Sequence, residues 1–320
     1  MASRSFFLFR GSLACVCPAQ SSHWSQPFST AGSAAKSAWS LLLRSTTTVV
    51  YCSIDNLVST TNKSLTGFAD FLEGLGEANI PVVPVTTRSR LQFDATIRKF
   101  GLGHAFLAEG GCGVFLPEDY FHLKPPRSMR LGRFTCIPVA SPQPASAEML
   151  DLIAEATSIE VVPLRDLSPR ELSQNTGLPQ REAELLRQRD FDELFFFAGA
   201  SNADIQRFQR EAAERKARVR SRGALWSLAV GAELSSCVRD LSQLYHRSFR
   251  ANPHNIGIAT SDEAAELFPA CDHCLLLAGR DTAAPEPVAK YKSLPLFSPD
   301  TWQLALDMIL RRQLLGGHTT

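Results

Sequence analysis

The apolar run Val49-Val50-Tyr51-Cys52 ends in Ser53-Ile54-Asp55, which sets a hydroxyl and a carboxylate two residues apart at the edge of a buried strand. Phosphoryl transfer by the carboxylate route wants two acids at alternate positions there, because both then converge on one phosphoryl group. This strand end carries one, Asp55. The Ser53 hydroxyl is no substitute by itself, since neither His nor Lys adjoins it to take its proton.

Two other groupings invite a chemical reading. Cys271-Asp272-His273-Cys274 has the spacing of a zinc or redox pair, but tetrahedral zinc needs two more ligands and a redox pair usually opens a helix. Leu275-Leu276-Leu277 follows instead, which reads as a buried strand. The Arg/Lys-rich run Arg215 to Arg222 reads as the solvated face of a helix in preference to a nucleic-acid patch. The 8 cysteines show no framework spacing and mostly sit in apolar runs, as reduced buried thiols do.

The elements that must position these groups follow a parallel-sheet pattern, short apolar runs alternating with amphipathic stretches. After the first strand, Leu65 to Ala78 has helical spacing and leads into the strand Ile80 to Val85, giving one βαβ unit. Thr86-Thr87-Arg88-Ser89-Arg90 closes that strand, and Thr86 or Thr87 is of a type that caps a helix. A helix over Phe93 to Phe100, a short strand at Ala105 to Ala108, the turn Glu109-Gly110-Gly111 and a hairpin-like excursion follow. Residues 122–225 change character, with Pro-rich stretches and a charged, helix-rich segment, and read as an inserted second domain. The core pattern is expected to resume with a strand at Leu225 to Val230, then strands at Ile256 to Ile258 and Cys274 to Leu277 and a closing helix from Thr301. The expected layout is a core of residues 46–121 and 226–320 around an insert of 122–225.

With 320 residues, 44% of them apolar, the chain can bury a full core. Lys and Arg number 33 against 32 Asp and Glu, so no overall field draws it to nucleic acid or to a membrane surface. No acid precedes Asp55, while Arg4, Arg10, Lys36 and Arg44 are scattered through a Ser/Ala-rich leader. Residues 1–45 therefore read either as a transit peptide for a mitochondrion or plastid, or as the product of a start assigned too far upstream, which leaves a cytoplasmic protein. Phe6 to Phe9 is too short to span a bilayer.

The order of features, a strand-end acid, a strand-end Thr with Arg, a Glu-Gly-Gly turn, an inserted cap and a resumed core, resembles the haloacid dehalogenase superfamily. Within it the chain is similar to the mannosyl-3-phosphoglycerate phosphatases, through Thr176-Gly177-Leu178-Pro179 and Arg189-Asp190-Phe191-Asp192-Glu193 in the insert. The resemblance spans about residues 46 to 280. It implies an α/β fold, a Rossmannoid parallel-sheet core of the haloacid dehalogenase type with an inserted α+β cap.

The resemblance also assigns roles. Ser53 falls at the nucleophile position and is degenerate, Asp55 falls at the acid/base position, and Leu57 stands where the family has Thr. Thr86, Thr87 and Arg88 would bind phosphate through hydroxyls, backbone N–H groups and charge. Arg189 and Glu193 would contact substrate from the cap, although a helix-surface pairing among Arg187, Arg189, Asp190 and Glu193 also fits their spacing. The family's lysine falls at Leu234-Ser235-Ser236, with Arg239 one turn on. Thr260 and Ala264 stand at its two metal-facing positions, so no metal site is expected there, and Mg2+ enters only if the chain is active.

The losses together imply a phosphatase scaffold impaired in phosphate-ester hydrolysis and retained to bind a phosphosugar or other small phosphate ester, or a protein partner. An active magnesium-dependent phosphosugar phosphatase, and a structural subunit of an organellar assembly, are the alternatives. Enzyme activity is left open.

Overall fold

In the computed structural model the described residues are 47–55, 67–94, 103–122, 124–278, 292–295, 298 and 300–315. The leader, Leu57 and most of the helix expected over 93–100 lie outside them. Among the described residues no helix is long and apolar enough to cross a membrane.

The first strand, β1 (Thr48–Ser53), is buried along its whole length. Val50 and Cys52 point into one apolar cluster, and Val49 and Tyr51 into a second on the opposite side. Successive side chains of a strand alternate between faces, so a strand covered on both sides must read as continuously apolar. Helix α1 (Phe68–Glu77) crosses over to β2 (Val82–Val85), which pairs parallel with β1. β3 (Phe106–Ala108) adds a parallel strand; β4 (Gly113–Leu116), β5 (Met129–Leu131) and β6 (Phe134–Pro138) extend the sheet antiparallel.

The chain then leaves this sheet. Helix α2 (Gln143–Thr157), β7 (Val161–Pro163), α3 (Pro169–Thr176), α4 (Gln180–Arg187), β8 (Glu193–Phe197), α5 (Asn202–Glu214), β9 (Ala217–Arg222) and β10 (Leu225–Val230) make a second unit. Its four strands run in the order β7-β8-β10-β9, all antiparallel. α2 and α5 cover one face through Leu150, Ile153, Phe208 and Ala212, which meet Phe195 and Leu228 of the sheet. The start of α3 is fixed by Ser168 and Glu171, each bonding the other's backbone N–H, with Pro169 at the first turn.

The return path is α6 (Leu234–Phe249), β11 (His254–Thr260), α7 (Ser261–Leu267), β12 (His273–Ala278), β13 (Lys292–Pro295) and α8 (Thr301–Leu315). Among the described residues the large sheet has nine strands, in the order β13-β12-β11-β1-β2-β3-β4-β6-β5. α1 and α8 cover one face, with Trp302 seated between Phe68 and Phe71 at 4.7 and 5.0 Å. α6 covers the other through Cys237, Val238, Leu241 and Tyr245.

The architecture is thus α/β, with an inserted α+β cap, and three placements differ from expectation. Phe134 to Pro138 pairs with β4, and Met129 to Leu131 pairs with that strand in turn, so the chain leaves the large sheet near residue 139 and not at 122. Leu225 to Val230 is a cap strand, hydrogen-bonded between β8 and β9, and not a core strand. An apolar run of that length carries the same signal in either sheet. Arg215 to Arg222 is no helix face: Ala217 to Arg222 is the edge strand β9, joined to β10 by a two-residue turn with Gly223 at φ 70°.

Candidate functional site

The parallel strands all end on one side of the sheet. The order β11-β1-β2 places the reversal of connection between β11 and β1, where open α/β sheets leave a crevice beyond their carboxyl ends. Asp55 lies two residues past the end of β1. Its carboxylate accepts the Thr87 N–H at 2.5 Å, the Thr87 hydroxyl at 2.5 Å and the Thr86 hydroxyl, and Arg88 Nε stands 3.8 Å away. The backbone holds these donors in place: Thr86 N–H donates to Leu107 at 2.9 Å, and Thr86 O accepts from Gly110 N–H at 2.9 Å. The helix that follows is capped by Ser89, which exchanges hydrogen bonds with Gln92, and not by Thr86 or Thr87. Both threonine hydroxyls are thereby left to face the carboxylate.

Ser53 is buried at the end of β1 and donates its hydroxyl hydrogen to the carboxylate of Glu263, on the first turn of α7. Thr260, the last residue of β11, donates to the same oxygen at 3.3 Å. Ala264 is fully buried in the apolar cluster under α6, so that position belongs to the core. A hard dication wants several oxygens in near-octahedral array; here Asp55 accepts hydrogen bonds on both oxygens, and one oxygen of Glu263 accepts from Ser53 and Thr260. Among the described residues no three His, Cys, Asp or Glu side chains gather as metal ligands.

The cap brings arginines to this strand end. On β9, Arg220 and Arg222 alternate toward the core. Arg220 donates to Gly110 O and pairs with Glu266 at 2.7 Å. Arg222 donates to Thr87 O, to Asp192 at 2.8 Å and to Ser227 at 3.0 Å. Burial pushes the pKa of Arg222 below its ordinary value, with Asp192 opposing; a guanidinium stays charged in any case. Between β9 and the strand ends lies a cleft of about 920 Å3, whose walls include Asp55, Thr86, Thr87, Arg88, Arg220 and Arg222. Glu263 and Glu266 complete the charged lining.

Core and cap are tied together beside this cleft. The Glu109 carboxylate accepts three successive backbone N–H groups of the cap, from Asp190, Phe191 and Asp192, at 2.9, 2.9 and 3.0 Å. Arg90 pairs with Asp190 at 3.1 Å, and Arg189 donates to Thr87 O at 2.8 Å while pairing with Asp192. Burial raises the pKa of Glu109 to about 7, against the pull of Arg189.

The helix-surface alternative does not hold: Arg189 follows the end of α4 and Glu193 opens a strand. Arg189 is buried in the core–cap joint. Glu193 lies in β8, held by Gln143 and by Arg165 at 3.2 Å, and does not line the cleft. Arg239 is exposed and sits 3.5 Å from Glu233, so it brings no charge to the cleft. Ser235 likewise bonds Glu233, at 2.5 Å. The sequence reading missed Arg220, Arg222, Glu109's grip on the cap and the Ser53–Glu263 contact. The arginines had a signal in the period-two alternation Arg218, Arg220, Arg222.

No family model matches the chain. It is 24% identical over 178 residues to a glucosyl-3-phosphoglycerate/mannosyl-3-phosphoglycerate phosphatase of Methanococcoides burtonii, covering 56% of this chain and 65% of that protein. A protein of the same description from Persephonella marina is 22% identical over 209 residues, covering 64% of this chain and 75% of that protein. Among solved structures, a sugar phosphatase of haloacid dehalogenase subclass IIB superposes with TM-score 0.55 and 10% identity over 82% of this chain and 99% of its own. A phosphatase of the same superfamily from Bacteroides thetaiotaomicron gives TM-score 0.55 and 13% identity over 89% of this chain and 98% of its own.

Proposed function

We propose that this chain, a member of the haloacid dehalogenase superfamily of the mannosyl-3-phosphoglycerate phosphatase-like kind, binds a small phosphate monoester in the cleft and is impaired in hydrolysing it. One observation carries the reading. The Thr86–Thr87–Arg88 cradle is of the type that holds phosphate oxygens, and it already grips an anion, the Asp55 carboxylate. Arg220 and Arg222 add cationic charge from the cap side. The nucleophile position, by contrast, is an alcohol hydrogen-bonded to Glu263. A carboxylate is far too weak a base to hold a serine as its alkoxide, so Ser53 has no ready route to an attacking form.

The names of the relatives make glucosyl-3-phosphoglycerate and mannosyl-3-phosphoglycerate the first esters to try. Binding measured by calorimetry in EDTA, together with phosphate release measured in magnesium, tests the proposal. The expected result is binding without metal, with turnover at least ~10³-fold below that of an enzyme bearing its nucleophile. Magnesium-dependent release that is lost in Asp55→Asn would establish the alternative, an active phosphatase. Absence of any binding would remove the phosphate reading.

A further inference from the structure

A second cavity of about 490 Å3 opens beside the cleft, and the two share Thr87, Arg88 and Arg222. Those shared residues belong to the proposed phosphate cradle, so a group esterified to the phosphate can extend from it into the second cavity. The walls of the two differ in charge. The cleft's further walls carry Arg220, Glu263 and Glu266 beside Val85, Val219 and Leu234. The second cavity is walled by the cap: Leu178 in the turn between α3 and α4, Leu185 on α4 and Leu225 at the start of β10, all half-buried. Leu186 and Leu194, both buried, form its floor and belong to the small apolar cluster of the cap.

Two of the polar groups bordering it are engaged within the fold. Gln92 Oε1 accepts from Ser89 N–H at 3.1 Å and from Arg189 at 3.2 Å. The Arg189 guanidinium is committed to Asp192 and Thr87 O. Exposed Glu182 stands at the rim, and Arg88 and Arg222 border the side shared with the cleft. A sugar ring carries a hydroxyl on most carbons, and each one buried against leucine without a partner weakens binding. An aliphatic or aromatic group meets no such cost there and gains from leaving water.

We infer that this cavity is an apolar subsite, and that the phosphate monoester the chain prefers is that of an aliphatic or aromatic alcohol. The inference rests on the phosphate reading above and departs from the sugar esters in the relatives' names.

Calorimetric titration of the full chain in EDTA with inorganic phosphate, glycerol 3-phosphate and n-hexyl phosphate separates the possibilities. Each methylene group buried strengthens binding by roughly fourfold, so hexyl phosphate is expected to bind at least ~10-fold tighter than the other two. In Leu185→Ser and in Leu178→Ser, both at half-buried positions, that advantage is expected to shrink while inorganic phosphate binds as before. Equal affinities for hexyl and inorganic phosphate overturn the apolar subsite and leave the phosphate site standing. An advantage untouched in both leucine variants overturns its location. Failure of all three probes to bind overturns the phosphate reading and this inference with it.

Discussion

The Glu109 carboxylate, at the turn after β3, accepts the backbone N–H of Asp192 in the cap at 3.0 Å, and the same side chain holds the two preceding amides. Three buried donors from one domain are thus satisfied by one carboxyl of the other. Removing it exposes a cost of roughly 1–3 kcal/mol for each amide left unpaired. Glu109→Ala is therefore expected to destabilise the chain by several kcal/mol, measured by urea unfolding.

The same residue gives a pH dependence with a definite sign. Burial raises the folded-state pKa of Glu109 from its ordinary 4.5 to about 7. The folded chain then holds this proton more tightly than the unfolded chain, so its contribution favours folding below pH 4.5 and is lost as pH rises through 7. Across that window the thermal midpoint of the native chain is expected to fall relative to that of Glu109→Gln, which carries no titrating group. Parallel profiles for the two proteins would show that Glu109 does not titrate there.

Asp55→Asn is expected to strengthen inorganic phosphate binding by about tenfold, because it removes a negative charge from the donors an incoming phosphate must use. In a phosphatase that relies on Asp55, the same change would abolish turnover. Calorimetry and a phosphate-release assay on one preparation distinguish the two.

Arg88 stands 3.8 Å from the Asp55 carboxylate and keeps a third of its side chain exposed. Arg88→Gln is expected to weaken phosphate binding by about tenfold, and to make the remaining affinity less sensitive to salt. Unchanged affinity would place the anion elsewhere.

Restoring the family's metal-facing acid is expected to fail structurally before it can be tested chemically. Ala264 is fully buried among Leu267, Phe268 and the residues of α6. Ala264→Asp places a carboxylate in that cluster and is expected to cost roughly 3 kcal/mol or more. Circular dichroism melting of the variant checks it.

How much of this was legible beforehand follows from what each signal depends on. The strands β1, β2 and β11 announced themselves because burial on both faces demands continuous apolar runs. The cap expected at Thr86 or Thr87 is instead the reciprocal pair Ser89 and Gln92, which leaves both threonines to Asp55. Leu225 to Val230 was assigned to the wrong sheet because sheet membership is decided by partners, which a local run does not encode. Arg220 and Arg222 were hidden by charge density: a basic run resembles a solvated helix until its period is counted. Glu263 stands one position before Ala264, the residue at the family's metal-facing position, yet at the first turn of α7 it reaches Ser53 across the strand ends, whatever its place in the linear pattern.

The placement of Arg220 and Arg222 on the cap, opposite Thr86 and Thr87 on the core, has a thermodynamic consequence. Full affinity belongs only to molecules in which the two halves are apposed, so the measured dissociation constant is the intrinsic one divided by the apposed fraction. A substitution at Arg90 or Asp190, outside the cleft lining but within the joint, then registers as weaker binding. Ligand and joint act on one equilibrium, and a titration of either reports on both.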